Sequence, residues 1–302
     1  MNKKKIGLFL LFAFGISWLS TGVSYVCGVQ YGTPLSVVLT AVFYMGAPAI
    51  AAVIVQKWIY KQPIKIMGLA FREFKGKRFF RIPLVYLLFC VLWLGVVALL
   101  GNVFHIQGFG SITFEADKVL INLNQVTSAM SGHALTKMPM PPVVMFSVLL
   151  VTSFLAGIIV NTIFTLGEEL GWRGFLYNEM QAFGFWKSNM LIGIIWGLWH
   201  APLILQGHNF PEHRVSGVFM MVLFCVPLSY IMAYFRAKTN SALAPAIFHA
   251  SINAVAGNMM LFSVGTTDII GSIAGVSGAI TCVLVFLLII ILDKKAIEKA
   301  RK

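Results

Sequence analysis

Charge is what this chain lacks most. Only 11% of its 302 residues are Asp, Glu, Lys or Arg, against about 25% in soluble domains. So little charge excludes a soluble globule. With 59% hydrophobic residues and a mean hydropathy of +0.86, the composition predicts an all-α membrane protein. Cysteine is scarce as well. Cys27, Cys90, Cys225 and Cys282 all lie in apolar runs and none forms a C-x-x-C pair. That excludes a disulfide framework and a cysteine metal site, and leaves the four as small buried hydrophobes. There is no H-E-x-x-H, so the usual zinc-protease signature is missing. No A-x-A cleavage site follows the start MNKKKIGLFLLFAFGI, so a retained first membrane helix is expected there. Repeats and low-complexity tracts are absent, and residues 1–302 read as one integral membrane domain.

What is there is a series of apolar runs near the length of about 20 residues that a bilayer requires. Eight lie near 6–29, 34–58, 82–104, 143–167, 189–206, 216–236, 242–263 and 269–292. With the N-terminus inside, the inner segments collect 20 of the 23 Lys and Arg, and the outer loops hold only Lys118, Lys137 and Arg214. The positive-inside rule therefore predicts a bundle of about eight transmembrane helices with both termini cytoplasmic, in the cell membrane. The same split accounts for the net charge of +13 by contact with anionic headgroups, so nucleic acid is not an expected partner. The segment Lys57–Arg81 mixes cations with aromatics and is expected along the inner membrane surface. The largest loop, 105–142, is expected to hold a short helix around 114–126.

Ionisable residues inside spans are costly and usually face a cavity or a partner. Of the ten acids, Glu168 and Glu169 are the two not placed in loops, tails or the membrane surface. On a continuous helix Glu169 and Arg173 stand at i and i+4 and can pair. Glu168, about 100° away, is left free. His200 and His249 lie inside the fifth and seventh runs, and Asn253 shares a helical face with His249. At 1.5 Å per residue, His200 is roughly 16 Å and His249 roughly 10 Å from the cytoplasmic side, so the three can converge in that half of the bilayer. The other four histidines, His105, His133, His208 and His213, read as loop residues.

A glutamate, two histidines and an asparagine suit water activation in two ways. In one, Glu168 is general base with His200, while His249 and Asn253 donate to an oxyanion. In the other, Glu168, His200 and His249 bind zinc, which acidifies a water. Both hydrolyse a peptide bond, and the choice between no cofactor and zinc stays open.

Glu168-Glu169-x-x-x-Arg173, Trp196-x-x-x-His200 and His249-x-x-x-Asn253 resemble the three motifs of the CPBP family, the CAAX proteases and bacteriocin-processing enzymes, also called Abi. The family includes the Ras-converting CAAX endopeptidase and proteins similar to lysostaphin resistance protein A. The motifs fall in a core at 143–265. Trp196 stands where an aromatic, often Phe, is usual. The resemblance implies an eight-helix intramembrane endopeptidase with its cavity open to the cytoplasmic leaflet. It implies Glu168 as base with His200 at the water, Glu169 paired with Arg173, and His249 with Asn253 as oxyanion donors. The implied partners are a membrane-associated peptide or protein and the lipid bilayer. The alternatives are a non-catalytic immunity or scaffold protein of the same fold and, with weaker support, a proton-coupled transporter.

Overall fold

The computed structural model describes residues 2–69 and 80–294. Residues 70–79, the middle of the expected surface segment, and the cationic tail 295–302 lie outside them. The chain is a helical bundle: α1 (Lys3–Val26), α2 (Pro34–Ile59), α3 (Arg81–Val103), α4 (Ala116–Ser131), α5 (142–180), α6 (Gly184–Trp199), α7 (Ala201–Leu205), α8 (Arg214–Thr239), α9 (Leu243–Met260) and α10 (Val276–Leu292). Large apolar side chains such as Leu19, Ile163, Phe219 and Ile291 are exposed on its flanks, as lipid-facing residues are. The molecule is a multi-pass integral membrane protein.

Each expected apolar run is helical; among the described residues five stretches, one of them holding two runs, are long and apolar enough to cross a membrane by length and composition, and the remaining helices are shorter or less apolar. The reasons are local. The fourth and fifth runs join in one stretch of 64 residues, Pro142–Leu205. His249, Asn253 and Asn258 dilute the apolar character of α9. Turns around Gly271 and Gly275 shorten α10 to 17 residues. The loop helix α4 overlaps its expected position and runs longer. A two-residue strand pair, Ser111–Ile112 against Ser263–Val264, tacks the large loop to the end of α9.

Polar contacts knit both ends of the bundle. At the end carrying most cations, Lys5 bonds Glu179 and, at 2.8 Å, Gln62. There Arg81, Lys238 and Tyr234 converge on Asp293, and the Ala242 N–H donates to the Gly68 carbonyl at 2.9 Å. At the opposite end, the loop end, Tyr31 meets His208, the Thr267 N–H donates to the Gly108 carbonyl, and the N–H groups of Glu212 and His213 donate to Asp268.

Glycine lets the central helices close. A Cβ on Gly171 would lie 2.3 Å from Pro48 Cβ, so α5 presses directly on α2. Gly193 and Gly197 do the same for α6: a Cβ on Gly197 would lie 2.5 Å from Val222 Cα of α8. This is the small-xxx-small contact that brings membrane helices together. It fixes the depth of the residues that follow.

Candidate active site

The run α5 carries both glutamates. The sequence predicts a regular helix through them; the structure inserts π-helical turns at Gly157–Asn161 and Leu170–Leu176. Such turns widen a helix and free carbonyl groups, often beside functional residues. Here the Arg173 carbonyl, inside the second turn, accepts from Nε of Arg236 on α8 at 2.9 Å.

Adjacent in sequence, Glu168 and Glu169 face different partners. Glu169 is fully buried. Its Oε1 accepts from Arg173 at 3.1 Å and lies 3.1 Å from Nδ1 of His249. Glu168 is also buried, and its Oε2 accepts from the indole N–H of Trp196 at 3.0 Å. The Arg173 guanidinium lies over the Trp196 ring, 4.2 Å from its centroid. One carboxylate is thus neutralised by a cation and an imidazole, and the other meets an indole.

His200 sits where α6 breaks. Pro202 has no N–H and cannot continue the helix, so α6 stops at Trp199 and α7 starts afresh. The break frees the Trp199 carbonyl, which accepts from the Tyr44 hydroxyl and from Trp18 Nε1. The Trp196 carbonyl lies 2.8 Å from Nδ1 of His200. A carbonyl only accepts, so Nδ1 carries the proton and Nε2 keeps its lone pair. By the same logic the Glu169 carboxylate sets the proton of His249 on Nδ1. The hydroxyl of Thr165 donates to the Ala246 carbonyl at 2.9 Å and ties α5 to α9 just before His249.

Glu168, His200, His249 and Asn253 line one cavity of about 350 Å³. Glu169 and Arg173 stand behind its wall and are not among its lining residues. Apolar side chains of α8 and α9, including Met221, Phe224, Leu228 and Ile252, complete the wall. The structure therefore brings all six sequence-predicted site residues into one cluster, four on the cavity and two behind it.

Four features were not foreseen. Tyr44 lines the cavity; a hydroxyl inside an apolar run was the available signal. Trp196 contributes a hydrogen bond and not merely a ring. His208 and Asn209, expected at the solvated surface, line the cavity where it reaches the loop end, together with Ser272. Among the described residues, those of α8 that line it lie near the middle of the helix, from Met221 to Leu228, while His208, Asn209, Met260 and Ser272 carry it on to the loop end. The cavity therefore runs toward the end opposite most cations, and the expected opening to the cytoplasmic leaflet does not follow from its lining. Contacts among Arg236, the Arg173 carbonyl and Asn178 occupy the cationic side instead. Asn161, seven residues before Glu168, does not line the cavity.

The zinc arrangement does not fit. Among the described residues, the set whose ligand atoms all lie within 4.8 Å of one another is Glu212, His213 and Asp268 on the loops, not Glu168, His200 and His249.

Comparison with known proteins bears on the same segment. Residues 141–255 match the family described as type II CAAX prenyl endopeptidase Rce1-like. A 95-residue stretch is 32% identical to CAAX prenyl protease 2 of Methanococcus maripaludis, covering 28% of this chain and 34% of that protein. The chain thus matches about a third of the length of this curated relative. The matched segment contains α5 to α8 and the part of α9 that carries His249 and Asn253. Through this segment the chain is similar to the Rce1-like CAAX prenyl endopeptidase family.

Proposed function

We propose that the protein is an intramembrane endopeptidase that hydrolyses a peptide bond of a membrane-associated peptide or protein. The observation that carries this reading is the convergence of Glu168, His200, His249 and Asn253 on one cavity. The family match and the name of the archaeal relative support the reaction class.

The chemistry follows from the partners of each group. Glu168 takes a proton from a water, whose oxygen attacks the scissile carbonyl carbon. The lone pair on His200 Nε2 accepts that water's other hydrogen and orients it. The carbonyl oxygen becomes an oxyanion, and the Asn253 amide donates to it. His249 can donate through Nε2 only as an imidazolium, since Nδ1–H already faces Glu169. Glu169, shared with Arg173, supplies the counter-charge. Glu168 then returns its proton to the leaving nitrogen, so the carbon–nitrogen bond breaks to give a carboxylic acid and an amine. The apolar wall of Met221, Phe224, Leu228 and Ile252 receives apolar side chains of the substrate.

The test is Glu168→Gln in purified protein reconstituted into liposomes. Loss of a general base costs about 10²–10⁴-fold in rate, and full cleavage by this variant would defeat the reading. A phenotype in cells that survives Glu168→Gln would instead favour a non-catalytic immunity or scaffold role. Activity that persists with chelator, together with a metal-free elemental analysis, is the expected outcome for a glutamate mechanism. The compartment that the cavity faces is readable from the natural thiols. Cys27 is exposed at the loop end, whereas Cys90, Cys225 and Cys282 are buried. Labelling of intact cells by an impermeant maleimide places the cavity end outside, and labelling only after lysis places it inside.

A further inference from the structure

Trp196 stands at the centre of the site rather than at its edge. It is 2% exposed, and its indole N–H donates to Glu168 Oε2 at 3.0 Å. Its ring centroid lies 4.2 Å from the Arg173 guanidinium carbon and 5.1 Å from the His249 ring centroid, edge to face. Its own carbonyl engages His200 Nδ1 at 2.8 Å. One residue thus contacts the base, the cation behind it and both imidazoles.

Packing alone asks for a ring at this position and makes no use of a nitrogen. A buried indole N–H aimed at a carboxylate is a directed, charge-assisted contact that a phenyl ring cannot make. Glu168 has three rotatable side-chain bonds, and nothing else described donates to it. Arg173 gives its bond to Glu169, and the Tyr44 hydroxyl donates to the Trp199 carbonyl. Gly193 and Gly197 set the depth of the indole by seating α6 against Val222 and Val226 of α8.

We propose that Trp196 is a positioning residue for hydrolysis: its indole N–H holds one oxygen of Glu168, so that the carboxylate presents the other to the water in the cavity. The proposal rests on the reading of Glu168 as the base. It specifies that in this chain, unlike relatives with Phe at the position, the donor at 196 and not only its ring orients the base.

The experiment compares three replacements in reconstituted protein, read as kcat, KM and melting temperature. Trp196→Phe keeps a ring and loses the donor. β-(3-Benzothienyl)alanine at 196 keeps the bicyclic shape and puts sulfur in place of N–H. 4-Fluorotryptophan keeps the N–H. The first two are expected to lower kcat by about tenfold or more, the rate equivalent of one hydrogen bond to a charged group. KM is expected to stay within about twofold, because the lost contact orients the base and not the substrate. The fluoro analogue is expected to retain the native kcat. Native kcat in the benzothienyl protein would overturn the proposal, and this variant decides the matter if Trp196→Phe fails to fold. Equal losses in the benzothienyl and fluoro proteins would also overturn it, because they would mark shape and not donation. Glu168→Gln is assayed alongside. If it cleaves, the reading of the site fails. If it is inert while the benzothienyl protein runs at the native rate, only the role of Trp196 fails.

Discussion

Among the described residues, two clusters join acid and histidine, and they differ in almost everything but composition. At the loop end, Asp268 Oδ2 accepts the backbone N–H groups of Glu212 and His213 at 2.8 and 3.3 Å, while Oδ1 lies 2.5 Å from His213 Nδ1. Both oxygens of Asp268 are spent on closing the start of α8, and the His213 side chain is 41% exposed. In the bundle interior, Glu169, Arg173 and His249 are 0 to 5% exposed, and the neighbouring Glu168 opens on a cavity. The outer cluster ends a loop; the inner one brings charge to a hollow. Residue type alone does not separate them. Depth does, and so do the groups that each carboxylate answers to.

Breaking the inner cluster is expected to cost most. Arg173→Met leaves the Glu169 carboxylate buried beside a single imidazole, and removing one partner of a buried pair costs about 3–5 kcal/mol. The expected result is loss of both folded yield and activity, with stability largely recovered in Arg173→Met/Glu169→Gln. A melting temperature unchanged in the single variant would show that the pair carries no such strain.

A second, intermediate effect lies between the clusters. Burial pushes the ring of His208 down to about 4 from its ordinary 6.5. The unfolded chain therefore binds that proton first. The contribution of His208 to stability is whole above pH 6.5 and is lost as pH falls toward 4. Thermal melts from pH 7 to 4.5 should shift downward, and His208→Gln should flatten the slope. Identical slopes would remove His208 as the source.

The smallest effect belongs to the outer cluster. Asp268→Asn keeps the shape and loses the charge, at a cost of about 1 kcal/mol for a pair whose histidine is solvated. Cleavage is expected to continue at the native rate. A large loss of activity would mean that the loop end does more than hold α8.

The sequence made the inner cluster legible to the extent that its partners are local or its residues rare. Glu169 and Arg173 could be paired on paper because four residues separate them on one helix. His200 and His249 stood out because imidazoles are uncommon in apolar runs. Partners on other helices were invisible: the indole of Trp196 on Glu168, the hydroxyl of Tyr44 on the Trp199 carbonyl, and His208 at the cavity mouth. The π turns on α5 were equally hidden, since nothing in GIIVN or LGWRGFL demands an extra residue per turn; they arise from packing against α9, α2 and α8. Hydropathy measures each helix alone, so α9, sheltered by its neighbours, reads as less apolar than a lipid-facing helix.

The mouth of the hollow and most of the lysines lie toward opposite ends of the bundle. A bundle threaded with its lysines toward the cytosol would therefore offer its cavity to whatever arrives from beyond the cell, and spare the nascent chains within. Threaded the other way, it would act on tails of proteins made inside. A few cations far from the chemistry would thus choose the clientele.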